Sequence, residues 1–182
     1  IWQFNARPLL PDNAARQAHR LSHTGNWRGA IRAGELALAY WPGEPAHHLS
    51  MSQLYWQMAL SHPVEAKSWL AKSEAALQMA QWLRPDDPLI WLQTALFYSS
   101  AGRHFQNRTA DASVFFYRRA LDLAPQNATI YFGLGRHFLE TGASEEAATL
   151  LRQAVSLDAS DGISYLYLGA AELDLGNAEE AL

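Results

Sequence analysis

The sequence predicts an all-α chain, a solenoid of antiparallel helix pairs, and three observations carry that prediction. The C-terminal part repeats itself at an interval of 34 residues: Tyr131 superposes on Tyr165, Leu134-Gly135 on Leu168-Gly169, Gly142 on Gly176, Glu145-Glu146 on Glu179-Glu180 and Ala147 on Ala181. Within a period the apolar residues keep helical spacing, first at Tyr131, Leu134, Gly135 and Phe138, then at Ala147, Leu151 and Ala154. Breakers punctuate the pattern, with Gly25, Gly102 and Gly142 inside pairs and Pro42, Pro85 and Pro125 between them. Proline lacks an amide donor and clashes with the preceding turn, so each one closes a helix.

A lead-in, 1–10, precedes the first pair, 11–44, which holds Ala18, Leu21, Gly25, Ala30, Ala37 and Pro42 in register. Ala14 and Gly34 stand where the clean repeat has large residues, so this pair is degenerate. The second, 45–87, places His48, Met51, Ser52 and Tyr55 on its first helix and Leu77, Ala80 and Pro85 on its second. Its closing proline comes nine residues late, and the excess in Ser61–Lys72 reads as a second helix lengthened by roughly two turns, with Pro63 in a first turn. The third, 88–127, opens on Trp91, Thr94-Ala95 and Tyr98 and closes on Tyr117, Ala120 and Pro125; six extra residues in Arg103–Ala112 read as an exposed inter-helix loop. The fourth, 128–161, is the cleanest, with Ala159 where the others have proline. The fifth, 162–182, is cut off after Ala181.

A 34-residue helical pair with small residues at Gly135, Ala147 and Ala154 and an aromatic at Phe138, with a proline closing the pairs before it at Pro42, Pro85 and Pro125, resembles the tetratricopeptide repeat, strongly over 88–182 and more loosely before. The resemblance implies a right-handed superhelical solenoid in which each pair touches mainly its neighbours. It also implies that the first helices line a groove for an extended peptide or a partner helix. On this chain the matching groove positions are His19 and His23; Leu49, Gln53, Trp56 and Gln57; Leu92, Gln93 and Leu96; Phe132, Arg136 and Glu140; and Leu166, Tyr167 and Asp174.

That lining is apolar and aromatic with few charges. Relatives that clamp a C-terminal carboxylate carry Lys, Arg and Asn at matching groove positions, and here only Arg136 qualifies. A hydrophobic peptide or helix is the expected ligand. Equally open is a groove covered by residues 1–10 or by further helices.

Composition narrows the classes. The 182 residues are 49% hydrophobic and 18% charged without cysteine, which excludes disulfide-stapled and low-complexity chains as well as thiolate zinc. A net charge of −4 argues against nucleic acid as partner. No apolar run reaches the roughly 18–20 residues that cross a bilayer. No cofactor motif and no catalytic constellation is present, and the Glu145-Glu146 and Glu179-Glu180 pairs suit helix N-termini.

His19 and His23 have the spacing of two helical metal ligands. His-Arg-Leu-Ser-His lacks the zinc-protease glutamate and no third ligand is evident, so a solvated or hydrogen-bonded pair is expected and no metal. His47-His48 reads as a helix start, with His48 in a large-residue slot. Asn107-Arg108-Thr109 and Asn127-Ala128-Thr129 match glycosylation acceptors, a pattern common by chance.

With a start at Ile1 and an end at Ala181-Leu182 inside a helical pattern, the chain is expected to be a fragment. The cut fifth repeat leaves a face through which the chain can self-associate. The runs at 36–45, 53–59 and 84–88 are similar to the C-terminal repeat regions of bacterial O-antigen ligase or polymerase-like membrane proteins, which implies, as the alternative reading, the soluble tail of such an enzyme. All seven Trp (2, 27, 41, 56, 69, 82 and 91) lie in the first half. In the irregular repeats they are expected to fill contacts that small residues make elsewhere, with Trp56 alone placed to reach a partner.

Overall fold

The structure, a computed structural model, describes residues 9–105 and 110–176. Nine α-helices and a 3₁₀ turn build the described residues, and no strand occurs among them. The helices are α1 Leu9–His23, α2 Trp27–Tyr40, α3 Pro45–Ser61, α4 Ala66–Leu83, α5 Pro88–Phe105, α6 Ala110–Leu123, α7 Ala128–Glu140, α8 Ser144–Leu157 and α9 Gly162–Asp174. They form two compact units, Ile1–Pro85 and Asp86–Leu182.

In the first unit α1 pairs with α2 and α3 with α4, while α2 also packs on α3. Its core is Ala30, Ile31, Met51, Leu54, Met58 and Ala76, with Trp27, Tyr55 and Trp69 packed against it. Gly34, the poor match in the first repeat, is explained by Met51. A Cβ on Gly34 would overlap the Met51 sulfur, so the bulk missing from α2 is supplied by α3. Where α3 meets α4, the Ser73 hydroxyl donates to the Ser52 carbonyl at 2.9 Å and lies 2.8 Å from the Ser52 hydroxyl, which leaves both buried groups satisfied.

The nine extra residues of the second repeat are shared out rather than added to its second helix alone. α3 has 17 residues against 13 in α7, α4 has 18 against 14 in α8, and Pro63–Glu65 forms the 3₁₀ turn between them. One added turn on each helix of a pair keeps their ends level, which two turns on one helix would not. In the third repeat residues 103–105 continue α5 and 110–112 belong to α6; 106–109, at the centre of the expected loop, lie outside the described residues. So do 1–8 with Trp2, the triplet 107–109, and 177–182 with the Glu179-Glu180 pair.

The second unit pairs α5 with α6 and α7 with α8, and α9 packs on α8. Leu92, Ala95, Tyr117, Ala120, Ile130 and Leu134 form one core cluster; Ala147, Ala148, Leu151 and Ala171 form another. Close approach explains two glycines: a Cβ on Gly133 would sit 2.8 Å from the Tyr117 ring, and one on Gly135 would sit 2.8 Å from Leu151 Cγ. Gly142 turns the chain from α7 to α8 at φ 83°, a left-handed conformation that L side chains disfavour. Arg152 holds α9 to α8, donating from Nε and Nη2 to the nearly buried Glu172 at 3.1 and 2.7 Å.

Equivalent positions repeat equivalent chemistry. The Tyr131 hydroxyl donates to the Pro125 carbonyl at 3.2 Å, and His48, six residues after Pro42, donates from Nε2 to that proline's carbonyl at 2.8 Å. Asp87, Asn127 and Asp161 each accept an amide from the second residue of the helix that follows, at 2.9, 3.0 and 3.0 Å. The Asn127-Ala128-Thr129 triplet is thus a helix cap, and Glu145 and Glu146 lie in the first turn of α8. At the end of α8, where proline is missing, Asp158 takes over by accepting the Ser160 amide at 3.0 Å and its hydroxyl at 2.7 Å. The Ser160 hydroxyl, and then its amide, hold the Asp158 carboxyl below its ordinary range.

The tryptophans divide. Trp27 and Trp69 pack on the first core, and Trp69 stacks on Tyr55 at 5.9 Å beneath the Lys72 ammonium. Trp41 and Trp82 correct the expectation, because their side chains stand on the surface at 48% and 77% exposure and fill no interior contact.

Candidate functional site

A cavity of about 360 Å³ opens in the first unit between α1 and α3, with α2 as its floor. From α1 come His19, Ser22 and His23; from α3 come His47, Met51, Gln53, Leu54, Trp56 and Gln57; Trp27, Gly34 and Ala37 close the back. Helical spacing explains the convergence, since residues four apart lie one above another on a face. His19 and His23 are one such pair, Gln53 and Gln57 another.

Five of the expected groove residues therefore meet in one place: His19, His23, Gln53, Trp56 and Gln57. Leu49 is half-buried and is not part of the cavity lining. The lining keeps the apolar surface expected of the groove and adds polar groups to it. Three imidazoles, two carboxamides and two hydroxyls share it with Trp27, Met51, Leu54 and Trp56, and no carboxylate, lysine or arginine is among them. The resemblance implies a groove along the first helices, but it does not say that α2, with Gly34 and Ala37, leaves space behind His19 and Trp56. His47 contributes a buried Nε2 without a hydrogen-bond partner. His19 and His23 are exposed, and their Nε2 atoms lie 3.2 Å apart in a hydrogen bond that one donates and the other accepts.

In the second unit Phe132, Arg136 and Tyr167 come together. Phe132 meets Tyr167 edge to face at 5.3 Å, and the Arg136 guanidinium sits 5.7 Å from the Phe132 ring centre. Glu140 joins them through an ion pair of 3.6 Å with Arg136 and a 2.6 Å hydrogen bond from Arg103. Leu166 is exposed at 70%, and Gln93 and Leu96 are half-buried. Leu92 is corrected: it is buried in the core with Ala95 and Tyr117 and offers nothing to a ligand.

One polar cluster escaped the sequence reading. His137 places Nδ1 3.1 Å from the Ser99 hydroxyl and Nε2 3.2 Å from that of Ser113, linking α5, α6 and α7. A serine within hydrogen-bond reach of histidine is the arrangement of an activated nucleophile. Here all three side chains are buried, Ser113 completely, so they fasten helices together and present no hydroxyl to a substrate. No sequence signal marks them, because the three residues lie on three different helices, α5, α6 and α7, far apart in the chain.

Among the described residues no helix is long and apolar enough to cross a membrane, and no group of three or more His, Asp or Glu gathers around a potential metal position. No curated protein matches the chain. Residues 104–172 match the family model of the tetratricopeptide repeat. Among solved structures, a thermophilic tetratricopeptide-repeat protein of Thermus thermophilus is similar at a TM-score of 0.77 and 20% identity, over 91% of this chain and 83% of that one. MamA of Desulfovibrio magneticus is similar at 0.72 and 13%, over 94% and 88%. YrrB, described as a tetratricopeptide-repeat protein with an unusual peptide-binding site, is similar at 0.61 and 14%, over 93% and 79%. The match over 104–172 and these likenesses in fold together support a tetratricopeptide-repeat protein.

Proposed function

We propose that the chain is a non-enzymatic scaffold that binds a protein segment, an extended peptide or a helix, on the face formed by the first helices of its repeats. The observation that carries this reading is the cavity between α1 and α3, where His19, His23, Gln53 and Trp56 surround about 360 Å³. Its volume suits one or two side chains of a ligand, and its make-up suits a residue with an apolar body and a polar tip. Trp56 is the anchor: indole gives large contact area for little lost rotamer freedom, and binding energy concentrates on such side chains. Gln53, Gln57 and Ser22 supply donors and acceptors for a peptide backbone, which a purely apolar groove would leave unpaired. The peptide-binding site named for YrrB makes a peptide ligand reasonable for this fold. The Phe132–Arg136–Tyr167 cluster is the corresponding surface of the second unit. The alternative, the tail of a membrane glycan ligase, gains no support from the comparisons.

Selecting peptides from a displayed random library against the whole chain, followed by calorimetry, tests the proposal. Trp56→Ala weakens the selected peptides about tenfold or more, a loss of about 1.4 kcal/mol. Peptides that bind both Trp56→Ala and Phe132→Ala as tightly as the parent chain place the binding surface elsewhere.

A further inference from the structure

We propose that His19 and His23 form a binding site for a divalent transition-metal ion at the mouth of the α1–α3 cavity. The proposal goes beyond peptide binding and does not depend on it.

The geometry is the argument. Two imidazole nitrogens bound to one metal ion at roughly 2.0–2.1 Å, with an angle near 100–110° between them, lie about 3.1–3.4 Å apart. The Nε2 atoms of His19 and His23 are 3.2 Å apart. Their ring centres are 4.4 Å apart in an edge-on contact, closer than the roughly 5 Å of two rings aimed at one ion, so the rings swing slightly apart on binding it. Consecutive turns of α1 hold both rings, and a metal ion replaces the shared proton without a change of backbone. Both side chains are exposed, so an ion reaches them from solvent.

The chemistry selects the ion. Neutral imidazole suits zinc, nickel and copper, whereas calcium and magnesium require several oxygen ligands, and no carboxylate lines this cavity. Two protein ligands leave the remaining coordination positions open. His47 lines the same cavity, with a buried Nε2 that has no hydrogen-bond partner, but it does not complete a three-ligand group. A histidine or carboxylate of a bound segment can take one of the open positions.

Calorimetric titration of the whole chain with Zn²⁺ decides the matter. The expected result is one saturable site, weakened about tenfold or more by either His19→Gln or His23→Gln, because each removes half of the chelate. His104→Gln, at an exposed histidine outside the cavity, leaves the affinity unchanged. Circular dichroism confirms that both cavity variants remain folded, as expected for exposed side chains. Absence of a saturable site, or equal affinity in His19→Gln, His23→Gln and the parent chain, overturns the proposal and leaves the pair as a hydrogen bond alone.

Discussion

Tyr117 is the residue at which local chemistry and packing are most at odds. Its ring is fully buried against Gly133, and its hydroxyl has no hydrogen-bond partner. Burial, more than the opposing charges of Arg136 and Glu140, pushes its phenol up from 10.0 to about 12. The unfolded chain therefore loses this proton first. The contribution to stability is fully present below pH about 10 and is lost as pH rises towards about 12. Tyr117→Phe removes an unsatisfied polar group, so urea denaturation at neutral pH should find the variant within about 1 kcal/mol of the parent or more stable. At alkaline pH it should lose less stability than the parent. A loss above about 2 kcal/mol at neutral pH would mean that the hydroxyl is partnered after all. His48 shows a different kind of residue logic. It occupies the slot that Tyr131 fills in the clean repeat and makes the same bond to the preceding proline carbonyl, which an aromatic-only pattern would miss.

Helices were the level best read from the sequence, because a 34-residue register fixes which faces must pack. The pairs and their turns at Gly25 and Gly142 follow from that register, and both glycines adopt positive φ. Two features were not legible. How nine extra residues divide between α3 and α4 depends on keeping paired helices level, a tertiary demand that no local pattern carries. The exchange of bulk between Gly34 and Met51 is likewise visible only once α2 and α3 are side by side. The cavity was half legible. The expected positions include His19 and His23, whereas the place of His47 in the lining, the absence of Leu49 and the burial of Leu92 follow only from the packing. Close approach of α6 and α7 gives the element-scale prediction. Gly133→Ala drives a methyl into the rigid Tyr117 ring and should lower unfolding free energy by about 1–3 kcal/mol, measured by chemical denaturation. An unchanged midpoint would mean that the two helices separate freely.

At the scale of the molecule, each unit has its own core, and in the second unit that core ends on α9. Ala147, Ala148 and Leu151 are covered by Ala171, Tyr167 and Leu168, with Arg152 and Glu172 fastening the layer. Deleting residues 162–182 should uncover that apolar face of α8 and cause association visible by light scattering, whereas a stable monomer would show that α9 is dispensable. The distribution of polar groups also bears on function. The buried Ser99–Ser113–His137 cluster holds helices together inside the second unit, while the histidines of the first unit face an open cavity. Binding on the first-helix face is the central claim, and amide hydrogen exchange of the whole chain with and without a selected peptide tests it most directly. The account predicts added protection in α1 and α3 around His19, His23, Gln53 and Trp56. Protection confined to α2 and α4, with α1 and α3 unchanged, would contradict it.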